Sequence, residues 1–129
     1  MIQHIHPGDF DTWLRQAQAA TQAQGPDAPG PLVLDVREAH ELQLAALRPA
    51  ADAGYELLHI PMNTVPGALD RLDAAGRPSQ RPIACLCHHG GRSLRVAEYL
   101  RHQGFERVVN ISGGIEAWAA QRDPSIPRY

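Results

Sequence analysis

Short apolar runs alternate along this chain with stretches whose apolar residues recur every three or four positions. Leu32-Val33-Leu34-Asp35-Val36, Glu56-Leu57-Leu58-His59-Ile60, Pro82-Ile83-Ala84-Cys85-Leu86 and Val108-Val109-Asn110 are too short for helices and read as buried strands. Phe10, Trp13, Leu14 and Ala17 follow the i, i+3, i+4, i+7 pattern of an amphipathic helix, with Asp9 and Asp11 at its favourable N-terminal end. Glu38 to Leu44 reads as a short helix. Pro66 opens another carrying Leu69 and Leu72, with Gly76 near its C-cap. Ser93 to Gln103 presents Val96, Ala97 and Leu100 on one face and is closed by Gly104. Ser112 can cap a last helix with Ile115, Trp118 and Ala119 on one side, ended by Asp123-Pro124. The Pro/Gly-rich stretch Gln24 to Pro31 and the alanine-rich Pro49 to Gly54 are loops. Strands alternating with helices predict an α/β fold with a mostly parallel sheet. Trp13 and Trp118 are expected in the core, Arg95 and Arg101 on a solvated helix face, and Ile126-Pro127-Arg128-Tyr129 as a tail on the surface.

The chain has 129 residues, which suits a single domain over residues 1–129 with one hydrophobic core. An apolar content of 43% is compatible with a globular fold and argues against a disordered chain. A net charge of −2 leaves no basic footprint for nucleic acid. The N-terminus lacks the pattern of a signal peptide, and no run approaches the roughly 20 apolar residues of a membrane span. The expectation is a cytoplasmic protein without membrane or nucleic-acid partners, its two cysteines reduced.

One segment changes the picture from fold to chemistry. Cys87-His88-His89-Gly90-Gly91-Arg92-Ser93 follows a predicted strand and precedes a predicted helix. The carboxyl end of a parallel strand is where such sheets bind ligands. Backbone N–H groups and the helix dipole there stabilise an anion, so a cysteine so placed is favoured as a nucleophilic thiolate. Arg92 offers a planar fork of donors to an incoming anion, and Gly90 and Gly91 permit a tight loop. Ser93 is expected to cap the following helix and to reach the sulfur. Attack on phosphate and attack on sulfur both use a strand–loop–helix with Cys and Arg. Four residues separate Cys87 from Arg92, one fewer than the loop that wraps phosphate in protein tyrosine phosphatases. Counting from Cys85 gives six, so that cysteine does not restore the phosphatase spacing. Cys85 lies inside an apolar strand and reads as core. Cys87, His88 and His89 are a poor metal set, since adjacent ligands strain tetrahedral geometry. No metal or other cofactor is expected.

The chain resembles the single-domain rhodaneses, a family of sulfurtransferases. The resemblance rests on Asp35-Val36-Arg37-Glu38, His59-Ile60-Pro61, the loop Cys87 to Ser93, Gly104-Phe105 and Gly113-Gly114-Ile115-Glu116-Ala117-Trp118, in this order and spacing. It implies a rhodanese-like α/β sandwich with a central, mostly parallel five-stranded sheet flanked by helices. It also implies that Cys87 takes sulfane sulfur from a small anionic donor such as thiosulfate and passes it, as a persulfide, to a nucleophile. That acceptor can be a small molecule or a protein. His88, His89, Gly90, Gly91, Arg92 and Ser93 would then contact the donor. Read from the residues themselves, Asp35 and Arg37 form structural contacts, an Arg37–Glu41 pair at helical spacing being one candidate, and their place at the same sheet edge as Cys87 makes them candidates for supporting the site. The family's Gly-His-Ile-x-Gly-Ala segment has no match in Arg48 to Tyr55. A sulfur-relay role and a non-catalytic binding module are the alternatives; the intact cysteine argues against the module.

Overall fold

The computed structural model describes residues 1–72 and 80–129. Five strands form one sheet: β1 (Gln3–Ile5), β2 (Leu32–Asp35), β3 (Glu56–His59), β4 (Ile83–Leu86) and β5 (Val108–Ile111). Their spatial order is β1-β5-β4-β2-β3, and every neighbouring pair is parallel. The helices are α1 (Phe10–Gln24), α2 (Ala39–Leu44), α3 (Gly91–His102) and α4 (Gly114–Gln121).

Strand periodicity divides the core between two faces. Leu32, Leu34, Ile83, Cys85 and Val108 pack with Val96, Ala97 and Leu100 of α3. Val33, Ala84, Leu86, Val109 and Ile111 pack with Phe10 and Leu14 of α1 and with Ile115 and Trp118 of α4. Successive side chains of a strand point to opposite faces, so a central strand covered on both sides must be apolar throughout. This is why β2 and β4 read as continuous runs and not as alternating ones.

One element goes unread in the sequence and four expectations are corrected. The N-terminal strand β1 carries too few apolar residues to stand out; only Ile5 of its three is buried, and its backbone pairing with β5 makes it a strand. The segment opened by Pro66 lies within a 3-10 helical stretch, Met62–Arg71, kinked at Ala68, and Gly76 lies outside the described residues. Helix α3 begins at Gly91 behind Gly90, so Ser93 sits in its first turn and does not cap it. Gly113, not Ser112, caps α4. Trp13 is half-buried at the margin of the core, whereas Trp118 is only 4% exposed and stacks edge-on with Phe10.

The topology also fixes where a site can form. The chain leaves β2 towards β3 at one edge and leaves β4 towards β5 in the opposite direction. These adjacent strands therefore flank a crevice at their carboxyl ends, the switch point at which open α/β sheets bind ligands. Asp35 at the end of β2 is level with Leu86 at the end of β4, which puts Arg37 and Cys87 on either side of that crevice.

Candidate active site

Cys87 is the first residue beyond β4 and is 1% exposed. Its Sγ accepts a hydrogen bond from the Gly90 N–H at 3.0 Å, and the Ser93 hydroxyl lies 3.3 Å away. The loop turns back on itself because Gly90 adopts φ +108°, a conformation open to glycine and costly for other residues. The first-turn amides of α3 have no intrahelical acceptor, so the helix presents unpaired donors at this end.

Helix α4 holds the loop from the other side. The Ile115 N–H donates to the Cys87 carbonyl at 2.8 Å and the Glu116 N–H to the His88 carbonyl at 3.1 Å. The loop carbonyls thus satisfy the N-terminus of α4. A Cβ at Gly114 would collide with the Cys87 and His88 carbonyls, so the close approach requires glycine. Gly113-Gly114, read in the sequence as part of a family signature, has here a geometric cause.

The ionic neighbours differ from those expected. Arg37 is fully buried and pairs bidentately with Asp35, Nε to Oδ1 at 3.0 Å and Nη2 to Oδ2 at 2.7 Å. The expected Arg37–Glu41 side-chain pair does not form. Arg37 reaches only the Glu41 backbone carbonyl, at 3.4 Å, because its fork is already turned back onto the strand end. The Glu41 carboxylate instead takes the fork of Arg92, with Nη1–Oε1 at 2.6 Å and Nη2–Oε2 at 2.9 Å. It also accepts from the Glu38 N–H as half of a capping box that starts α2. Arg92 therefore ties the Cys87 loop to α2. The guanidinium of Arg92 and the Tyr129 hydroxyl hold the Glu41 carboxyl well below the usual carboxylate range, outweighing its burial.

The C-terminal segment is no free surface tail. Ile126 is buried, and the Tyr129 hydroxyl donates to Glu41 Oε2 at 2.7 Å while accepting from Arg37 Nη1 at 3.0 Å. Its ring stacks on His88 at 3.8 Å, and His88 stacks on His89 at the same spacing. Burial, with the nearby His89, lowers the His88 pKa and so favours the neutral ring. Its Nε2 is buried without a hydrogen-bond partner among the described residues. Burial pushes the Cys85 thiol far above its ordinary range, with the neighbouring Cys87 adding to the effect, so Cys85 is an inert core residue.

Asn110, His4 and Tyr129 do not stand out in the sequence as site residues, and Glu41 enters there only as a helical partner for Arg37. Asn110 accepts the Ser93 hydroxyl at 2.5 Å and donates to the Gly90 carbonyl at 3.1 Å; His4 contacts Asn110 across the β1–β5 pair. The capping-box spacing of Glu38 and Glu41, like the helical spacing of Arg37 and Glu41, is a local signal that points to Glu41.

The rhodanese-like domain model matches residues 12–121, including every element that builds this loop except β1. The chain belongs to the rhodanese-like domain family. A rhodanese-like/PpiC domain-containing chloroplastic protein of Arabidopsis thaliana is 35% identical over 99 residues, covering 75% of this chain and 30% of its own length. A protein named sulfurtransferase from Allochromatium vinosum is 30% identical over 95 residues, covering 74% of this chain and 78% of its own. The chain spans less than a third of the length of the first curated relatives it matches. Among solved structures, the human single-domain sulfurtransferase TSTD1 superposes with a TM-score of 0.66 at 17% identity, covering 95% of this chain and 99% of that one; at this identity it speaks for the fold. This rhodanese-like chain thus has relatives named sulfurtransferases, and none of its described helices is long and apolar enough to cross a membrane.

Proposed function

We propose that residues 1–129 form one rhodanese-like domain that transfers sulfane sulfur through a persulfide on Cys87. The supporting observation is the Cys87 sulfur facing the Gly90 N–H at the start of α3, a place suited to anionic sulfur. In the first half-reaction the Cys87 thiolate attacks the outer sulfur of a donor such as thiosulfate. A Cys–S bond forms, the sulfur–sulfur bond of the donor breaks, and sulfite leaves with the electron pair. In the second, an acceptor attacks the terminal sulfur and the Cys87 thiolate leaves, giving a double displacement. Cyanide serves as a laboratory acceptor, and a protein thiolate can occupy the same position.

The loop side chains divide in this scheme. Gly90, Gly91 and Ser93 face the sulfur or the donor with backbone and hydroxyl donors. His88 brings an Nε2 without a partner among the described residues, and His89 stacks behind it. Arg92 spends its fork and its charge on Glu41, so its contribution to donor binding is limited to the N–H groups left over, while Asp35 and Arg37 brace the wall of the crevice. A reducing cytoplasm suits this chemistry because it keeps Cys87 a free thiol. The test is steady-state turnover of thiosulfate and cyanide with sulfite and thiocyanate both measured. Equal release of the two, with parallel lines in a double-reciprocal plot and loss in Cys87→Ser, supports the scheme. Activity retained in Cys87→Ser contradicts it.

A further inference from the structure

Asn110 is a buried polar side chain for which the sulfur-transfer scheme above has no task. It stands on β5, 2% exposed, in register with Cys85 of β4 and His4 of β1. Its Nδ2 lies 3.1 Å from the Gly90 carbonyl and 3.3 Å from His4 Nδ1, and its Oδ1 lies 2.5 Å from the Ser93 hydroxyl. The opposite amide orientation would set two oxygens against each other at Gly90. In this orientation the Asn110 amide N–H faces His4 Nδ1.

Ser93 has one hydroxyl proton and three acceptors in reach: Asn110 Oδ1 at 2.5 Å, the Gly90 carbonyl at 3.2 Å and Cys87 Sγ at 3.3 Å. The Gly90 carbonyl already receives the Asn110 amide and the Leu94 N–H, so its two lone pairs are taken. The hydroxyl proton is left with two destinations, Asn110 and the sulfur. Oriented to Asn110, Ser93 turns a lone pair to the Cys87 thiol. Rotated to Cys87, it donates to an anionic sulfur.

We propose that Asn110 is a positioning residue for the Cys87 sulfur. It pins the Gly90 carbonyl, and with it the loop turn whose N–H donates to Sγ, and it holds the Ser93 hydroxyl at a pivot between its own amide oxygen and the sulfur. The titratable and charged groups around this network are Cys85 on β4, His4 on β1, His88 and His89 on the loop, and Arg92 on α3 paired to Glu41 of α2. The proposal rests on Cys87 as the nucleophile but not on any sulfur donor.

The experiment is the rate of Cys87 alkylation by iodoacetamide against pH, with the modified residue located by peptide mass. Ser93→Ala, Asn110→Ala, their double variant and Asn110→Asp are compared with wild type. Ser93→Ala slows alkylation at neutral pH about tenfold, the size of one lost hydrogen bond to a charged group, and Asn110→Ala slows it at least as much, because the Ser93 oxygen loses the anchor that holds it beside Sγ and the Gly90 turn loses its pin. The double variant is no slower than the slower single, because Asn110 acts through Ser93 and the loop it orients. Asn110→Asp keeps the side-chain size and moves the pH midpoint of alkylation upward, since a carboxylate opposes a neighbouring thiolate; this shift decides the matter if Asn110→Ala does not fold. Rates within about twofold of wild type at every pH, or single effects that multiply in the double variant, overturn the proposal. Because no sulfur donor enters the assay, failure of thiosulfate turnover leaves this outcome untouched.

Discussion

At the residue scale, the candidate site is one cysteine surrounded by groups that are almost all committed elsewhere. Arg92 is held by Glu41, Arg37 by Asp35, and Tyr129 joins the two pairs into one network. Tyr129→Phe removes a donor to Glu41 and an acceptor for Arg37 but keeps the ring stack on His88. The expected cost is about 1–2 kcal/mol, read as a lower urea midpoint at unchanged slope. Tyr129→Ala removes the stack as well and costs about 1 kcal/mol more. Equal stabilities of wild type and Tyr129→Phe would show that the phenol bonds contribute nothing net. Cys87 and its loop are legible in the sequence because their turn chemistry is local: a nucleophile, two glycines and a helix start within seven consecutive positions. The partners are not, because nothing near position 129 or position 110 encodes contacts with residues 41 or 93.

At the element scale, the loop is set by two helix N-termini that meet it from different sides. At the start of α3 the Gly90 amide donates to the sulfur, and α4 takes up the loop carbonyls. Gly114 is where the second helix comes closest. Gly114→Ala must either push the Cys87 loop away or change a backbone held at φ +60°. The expected result is a loss of roughly 2 kcal/mol or more, together with a larger fractional loss of Cys87 alkylation than of helical circular dichroism. A variant as stable and reactive as wild type would show that the α4 contact is dispensable. Central strands and amphipathic helices are readable because their burial patterns are periodic. β1 is not, because an edge strand of three residues is specified by backbone pairing with β5. The caps at Gly90 and Gly113 escape sequence reading for a related reason: each helix begins in a left-handed glycine dictated by loop packing, which side-chain capping rules do not foresee.

At the scale of the whole molecule, the parallel sheet brings residues from positions 35 to 129 to one crevice, and the charge network there couples stability to pH. Glu41 has a folded pKa far below its ordinary value of about 4.3. Between the folded and ordinary values the unfolded chain binds the extra proton. The contribution of Glu41 is therefore complete above about pH 5 and is lost progressively as the pH falls through the ordinary carboxylate range towards the folded value. Glu41→Gln is expected to lower stability at neutral pH by about 2 kcal/mol and to flatten the acid limb of the stability curve. An acid limb unchanged in Glu41→Gln would show that other carboxylates set it.

Whether Cys87 carries the transferred sulfur is read most simply from the intact mass of the reduced protein after incubation with thiosulfate, with Cys87→Ser and Cys85→Ser alongside. A persulfide on Cys87 predicts a gain of one sulfur atom in wild type and Cys85→Ser, its absence in Cys87→Ser, and its removal by cyanide. No gain in wild type, or a gain that persists in Cys87→Ser, would contradict it.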